Sequence, residues 1–412
     1  FVWIESEVEM YSLLLAIIYL AFISLGLPDS LLGSAWPALY PRLGVPVAFA
    51  GILTFIISCG TVVSSLLSDR LTRRFGAGLV TAVSVFLTMA ALFGFSASGA
   101  FWMLCLWAVP YGLGAGAVDA ALNNYVALHY SQRQMHWLHC FWGVGVSISP
   151  YIMSSCLASG SGWQAGYRWV GFLQAVLTVV LFLSLPLWRS RSEGAAGAES
   201  GNRDWLGVRG ALRIPGVREV LIGFFCYCGL ECSAGLWASS YLVLNRGIAV
   251  EAAARWASLF YLGIMVGRSL SGSIANRFSD RNIIRFGLLL IGLGVLALLV
   301  PGVPEPVPLA GLVVIGLGCA PVYPALIHET PLNFGAGVSQ AVIGIQMAGA
   351  YVGATVTPPL FGLIAEHAGM GWYPVWLLLI FLLMTVMLER KNRIIGAAGR
   401  DSAGVVPAER KP

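Results

Sequence analysis

Charge is what this sequence has least of: Asp, Glu, Lys and Arg make up 10% of its 412 residues, against about one quarter in an ordinary soluble protein. The few charges are scattered between long apolar runs. That pattern excludes a nucleic-acid binder, a secreted disulfide scaffold and a disordered regulator. Long polar stretches are equally scarce, the one of any length being Arg189 to Arg218, rich in Gly, Ser, Arg and acids. A cleavable signal peptide is not expected either, because the first apolar run, Tyr11 to Leu27, is too long and continues directly into a polar-decorated helix. No phosphate-binding loop, metal triad or Ser/His/Asp arrangement stands out, so neither an enzyme nor a cofactor is expected. The eight cysteines all fall inside apolar runs and read as small packing residues. The cluster Cys226, Cys228 and Cys232 has neither zinc spacing nor a basic neighbour to stabilise thiolates.

What the chain does have is apolar residues, 58% of the total, enough for about twelve helical spans of about 20 residues each. Its 49 Gly and 20 Pro are distributed through those segments, where small residues let membrane helices pack closely. Runs such as Leu288 to Val300 are continuously apolar, unlike the alternating strands of a membrane barrel. The expected fold is an all-α membrane protein with spans near 11–36, 47–68, 77–97, 101–127, 137–157, 167–188, 219–243, 252–275, 284–301, 307–327, 338–363 and 372–389. Residues 1–188 and 219–389 would each form a six-helix bundle, joined by the linker 189–218 and followed by a tail, 390–412.

Arginine is very unevenly placed. Arg70, Arg73, Arg74, Arg133, the linker arginines, Arg277, Arg281, Arg285 and the tail all fall on one side, whereas Arg42, Arg168, Arg246 and Arg255 fall on the other. Because positive residues stay on the cytoplasmic side, both termini and the linker are expected there. Topology alone then explains the formal charge of +5.

The halves also repeat. Ser65-Leu-Leu-Ser-Asp69-Arg70 corresponds to Gly272-Ser-Ile-Ala-Asn276-Arg277, and Gly112-Leu-Gly114 with Val118 to Gly316-Leu-Gly318 with Val322. Gly145 and Pro150 pair with Gly353 and Pro358 at the same spacing. Six spans per half carry both halves across the membrane in the same sense, as in a bundle pair able to rock about a central cavity.

These residues resemble the major facilitator superfamily. Asp69-Arg70-Leu-Thr-Arg73-Arg74-Phe-Gly76 is similar to its loop signature, with Ser65 in place of the leading Gly. Asp119-Ala-Ala-Leu-Asn123-Asn124, followed by His136-Trp-Leu-His139-Cys-Phe-Trp142-Gly143 and Pro150, is similar to the fucose:proton symporter branch. Drug-efflux branches carry a Gly-Pro-x-x-Gly-Gly stretch where this chain has Ser149-Pro150-Tyr-Ile-Met-Ser154-Ser155. The resemblance implies that acids at the positions of Asp29 and Asp119 serve in substrate recognition and proton coupling.

An ionisable group within a span costs about 2.5–3.5 kcal/mol on insertion scales, so each needs a reason. Asp29 follows Pro28 in span 1, Asp119 lies in span 4, and Glu231 lies in span 7 at the position equivalent to Asp29. All three are candidate proton-coupling residues, with a structural hydrogen-bond network as the other explanation. Asn123 lies one turn after Asp119, and His139 on the returning span should lie at similar depth, giving a polar triad able to bond sugar hydroxyls. His139 could equally be an interhelical packing contact. Asn124, Trp142, Tyr323, Gln346 and Tyr351 complete the substrate-binding candidates, while Trp36, Trp237, Tyr241, Trp256 and Tyr261 read mainly as interface anchors. Asp69, Arg70, Arg73, Arg74, Arg268 and Arg277 are expected to gate, although a purely topogenic role for Arg268 is also open.

The function expected is alternating-access, proton-coupled uptake of a sugar or similar small polar solute by a monomer in the cell membrane. Proton-antiport efflux of a metabolite or drug and a non-transporting membrane sensor are the alternatives. No nucleic acid and no metal enter any of them.

Overall fold

The computed structural model describes residues 2–46, 49–188, 206–248, 250–300, 304 and 306–403. Residues 189–205 of the expected linker and 404–412 of the tail lie outside the described residues. The helices are α1 (Val2–Asp29), α2 (Leu31–Leu43), α3 (Ala50–Phe75), α4 (Ala77–Ala97), α5 (Phe101–His129), α6 (Gln132–Ala158), α7 (Gly162–Leu183), the short α8 (Gly207–Ala211), α9 (Val217–Leu244), α10 (Val250–Ile274), α11 (Asp280–Leu299), α12 (Pro306–Phe334), α13 (Ala336–Ala368) and α14 (Tyr373–Ala403). Among the described residues eleven helices are long and apolar enough to cross a membrane, with Leu259–Ile274 of α10 a shorter twelfth. This is the twelve-span, two-bundle architecture expected from the apolar runs. The first span is divided: Pro28 lacks the amide that would continue the helix, α1 ends at Asp29, and α2 resumes at Leu31. The break is tied to α6 by Ser30, whose Oγ donates to the Val146 carbonyl at 2.7 Å and lies 2.6 Å from Ser149 Oγ.

Close packing within each half depends on paired glycines. A side chain at Gly145 of α6 would overlap the Ile23 carbonyl of α1, and one at Gly353 of α13 would overlap the Phe225 carbonyl of α9. Ile23 and Phe225 are therefore equivalent, and six residues further on so are Asp29 and Glu231. In the second span of each half, packing corrects the correspondence expected from the motif. Gly60 abuts Gly112, and Gly263 abuts the segment at Gly316. Counting on from these, Ser65 matches Arg268, and not Gly272. A helix returns to the same face after about 3.6 residues, so a pattern of small residues matches almost as well one turn out of place.

The end of the bundle carrying Phe75, Gln132, Val217, Asp280 and Ala336 is the linker face, and there the halves are laced together. Ser339 Oγ donates to Asn124 Oδ1 (2.6 Å), Gln340 Nε2 to Ser68 Oγ (3.2 Å), and Arg73 Nη2 to the Gly337 carbonyl (2.8 Å). Arg73 Nε is held by Asp69 Oδ1 at 2.8 Å. Gly344 of α13 lies against the Ser65 carbonyl of α3. This layer closes the space between the halves from the linker face.

Gly145→Ala is expected to lower stability by about 1–3 kcal/mol through overpacking. Gly143→Ala, two residues away with nothing within 4 Å of its added Cβ, should be neutral or stabilising by up to about 1 kcal/mol. Thermal unfolding of the two purified variants in detergent checks this, and equal midpoints would contradict the packing.

Candidate functional site

A cavity of about 280 Å³ lies between the halves, walled by Asp29, Tyr111, Asp119, His139 and Trp142 from the first and by Cys228, Glu231, Cys232, Arg268, Tyr323 and Tyr351 from the second. It adjoins a second space of about 520 Å³ across Asp29, Ile57, Ser58 and Tyr111, lined further along by Trp36, Leu39, Ala50, Leu53 and Leu104. Those residues lead towards the face opposite the linker.

Each carboxylate is held differently. Asp29, freed by the helix break, turns an accessible face to the cavity. Its Oδ1 accepts from the Tyr111 hydroxyl at 3.2 Å and its Oδ2 from Trp142 Nε1 at 3.0 Å. Asp119 is buried. Its Oδ2 accepts from the Tyr351 hydroxyl (2.8 Å), across the two halves, and its Oδ1 from Asn123 Nδ2 (2.8 Å). Asn123 Oδ1 in turn lies 3.0 Å from His139 Nε2; an amide oxygen only accepts, so in this arrangement Nε2 carries the proton. The His139 ring meets Tyr323 edge-on at 4.7 Å between centroids. Glu231 contacts the Tyr227 hydroxyl through Oε2, and its Oε1 lies 3.8 Å from Arg268 Nη2.

Arg268 thus stands on the cavity wall, inside its span and beside an acid. It is nearly fully buried. Its guanidinium lies 5.5 Å above the Trp142 ring, close enough for a cation–π attraction. Trp142 consequently joins Asp29 of one half to the Arg268–Glu231 pair of the other.

The structure brings together Asp29, Asp119, Glu231, His139, Trp142, Tyr323 and Tyr351 around one space, with Asn123 just behind its wall. It does not bring Asn124 or Gln346 there. Asn124 is spent on Ser339 in the linker-face layer, and Gln346 is buried, accepting from Thr330 Oγ1 at 3.0 Å. Asp69, Arg70, Arg73 and Arg74 stay together on α3 at the linker face, and Arg277 is exposed just beyond α10. Tyr111 and Tyr227 also reach the acids, although neither stands out in the sequence. Both stand at helical spacing from an acid, Tyr227 one turn before Glu231 and Tyr111 about two turns before Asp119, and that spacing was the available signal. Among the described residues no group of three or more His, Cys, Asp or Glu is placed to hold a metal ion.

A family model described as Major Facilitator Superfamily matches residues 18–346. "Bypass of stop codon protein 6" of Saccharomyces cerevisiae is 22% identical over 63% of the chain, and "Probable nitrate/nitrite antiporter NarK1" of Thermus thermophilus is 26% identical over 65%. The matches span 56% and 64% of the lengths of those two relatives, less than two thirds of each. Among solved structures, FucP in its outward conformation superposes with a TM-score of 0.77 at 14% identity, covering 93% of this chain and 99% of that one. A further structure names the same protein as the E. coli fucose:proton symporter. At that identity the likeness is one of fold.

Asn123→Ala would strip a donor from Asp119 and leave His139 Nε2 buried without its acceptor. The expected cost is about 1–3 kcal/mol, read as a lower unfolding midpoint in detergent. An unchanged midpoint would mean that the Asp119–Asn123–His139 chain contributes nothing.

Proposed function

This chain belongs to the major facilitator superfamily, as a multi-pass membrane transporter, and from that premise we propose proton-coupled uptake of a neutral sugar or similar small polyol by alternating access. One observation carries the reading: three carboxylates, two from the first half and one from the second, face a single cavity that offers them one guanidinium. Arg268 can compensate one negative charge, and protons can compensate the others. A carboxylate whose proton-binding depends on which face the cavity opens to is the element a symporter requires.

The rest of the lining suits a hydroxyl-rich solute. Tyr111, Tyr351, His139 and the acids supply donors and acceptors, while Trp142 and Tyr323 supply ring faces for the apolar side of a sugar. The fold likeness to a protein named as a fucose:proton symporter supports this choice.

The arginine bias supports an orientation in the membrane. With the linker face cytoplasmic, the cavity faces outwards in this structure and the Arg73–Gly337, Ser339–Asn124 and Gln340–Ser68 contacts are the inner gate. Inward opening would break that layer and bring the opposite ends of the halves together. A membrane potential supplies about 2.3 kcal/mol per charge per 100 mV, so one proton moving with each solute can drive accumulation.

A second reading, anion exchange, is favoured by Arg268 in the cavity and by the relative named for nitrate and nitrite. Against it, Arg268 already lies beside Glu231.

Counterflow into liposomes loaded in turn with neutral sugars, nitrate and apolar cations separates these readings. Exchange of a sugar or polyol is expected, reduced about tenfold in Tyr351→Phe for the loss of one hydrogen bond worth about 1.5 kcal/mol. Exchange of nitrate or of apolar cations, with sugars inert, would overturn the proposal.

A further inference from the structure

The second space beside the cavity has a chemistry of its own. At about 520 Å³ it is nearly twice the first, and residues of the first half alone line it. Its walls include Trp36 and Leu39 of α2, Leu53 of α3, Phe95 of α4, Leu104 of α5 and Tyr167 of α7. The break after Asp29 sets α2 off as one of those walls. Asp29 is the one charged residue of the lining, and it stands where the space meets the cavity. Tyr167 is 2% exposed, and its hydroxyl makes no hydrogen bond among the described residues.

Two features distinguish this space from an entry passage. When the halves rock, a passage between them closes at one end, whereas a space inside one half travels with that half and keeps its walls. Its lining also suits an apolar group and not a polyol: sugar hydroxyls brought against Leu39, Leu53 and Leu104 would lose water without gaining a hydrogen-bond partner. Asp29, Ile57, Ser58 and Tyr111 belong to both spaces. One solute can therefore bond the cavity's polar groups with its ring and extend past Asp29 into the second space.

We propose that the second space is a subsite for an apolar substituent, and that the solute carried is a glycoside or similarly substituted polyol with a group about the size of a phenyl ring. The assignment rests on the reading of the cavity as a sugar site and narrows its substrate class. Aromatic walls favour a ring as the occupant. Phe95 lies 6.1 Å from Tyr111 and meets Tyr167 edge-on at 5.5 Å between centroids, and a further ring among them extends the same kind of contact. The Tyr167 hydroxyl supplies one donor to a polar atom on that group.

Thermal stabilisation and counterflow with the methyl and phenyl glycosides of fucose, galactose and glucose test this. For the sugar that exchanges as its methyl glycoside, the phenyl glycoside should also exchange and should bind at least about tenfold more tightly. Gly33 lines the space, and a Cβ added there meets nothing within 4 Å. Gly33→Leu and Gly33→Phe should therefore remove the phenyl advantage in steps and leave methyl glycoside binding unchanged. Equal affinity for the two glycosides, or an undiminished phenyl advantage in Gly33→Phe, would overturn the subsite and leave the sugar reading standing. Loss of both glycosides in Gly33→Phe would mark the space as a passage and overturn the subsite as well. Exchange of no glycoside at all would overturn the sugar reading and the subsite with it.

Discussion

A carboxylate placed inside a membrane protein must be given a partner, and the cavity between these two halves gives three carboxylates one guanidinium. Much of the surrounding architecture serves that arrangement. The break after Pro28 presents Asp29 to the cavity instead of leaving it along a continuous helix. Tyr111, Tyr227 and Tyr351 each bring a hydroxyl to one acid, and Trp142 spans the gap between Asp29 and the Arg268–Glu231 pair. Because the Tyr351–Asp119 bond and the Arg268–Trp142 contact cross from one half to the other, a change in charge at the acids alters what holds the halves together.

The two halves move as units only if each is internally tight, and glycine provides that tightness. Gly145 and Gly353 place backbone against backbone at matching points, where a side chain would force the helices apart. The polar contacts between the halves at the linker face are of another kind: a few hydrogen bonds from Ser339, Gln340 and Arg73, worth about 0.5–1.5 kcal/mol net each where neutral and about 1.5–3 kcal/mol where the donor is charged. Strong packing within the bundles and modest bonding between them is the energetic pattern that rocking motion needs.

The spans, the repeat and the buried acids were legible in the sequence because each is a contrast along one dimension: charge within apolar runs, polar breaks between them, and a pattern that recurs. Rotation about a helix axis was less legible. Asn123 and Asn124 are adjacent, yet one turns to Asp119 and the other to Ser339 of the opposite half. Gln346 lies one turn closer to the linker face than the cavity-lining Ala350 and is bonded to Thr330. Arg268 lies only one or two turns inside its span by sequence, and its facing of the cavity beside Glu231 depends on a helix rotation that the sequence does not display. Tyr111 and Tyr227 were hidden for the opposite reason, since aromatic residues are common in membrane helices and only their spacing from an acid distinguishes them.

Whether protons complete the charge in the cavity is the point on which the account turns. It is tested by reconstituting the protein in liposomes with a pH-sensitive dye in the lumen and adding substrate outside. The account predicts proton entry with the solute, and in Asp119→Asn solute exchange that no longer carries protons. Solute and proton movement by Asp119→Asn equal to that of the unaltered protein would contradict it.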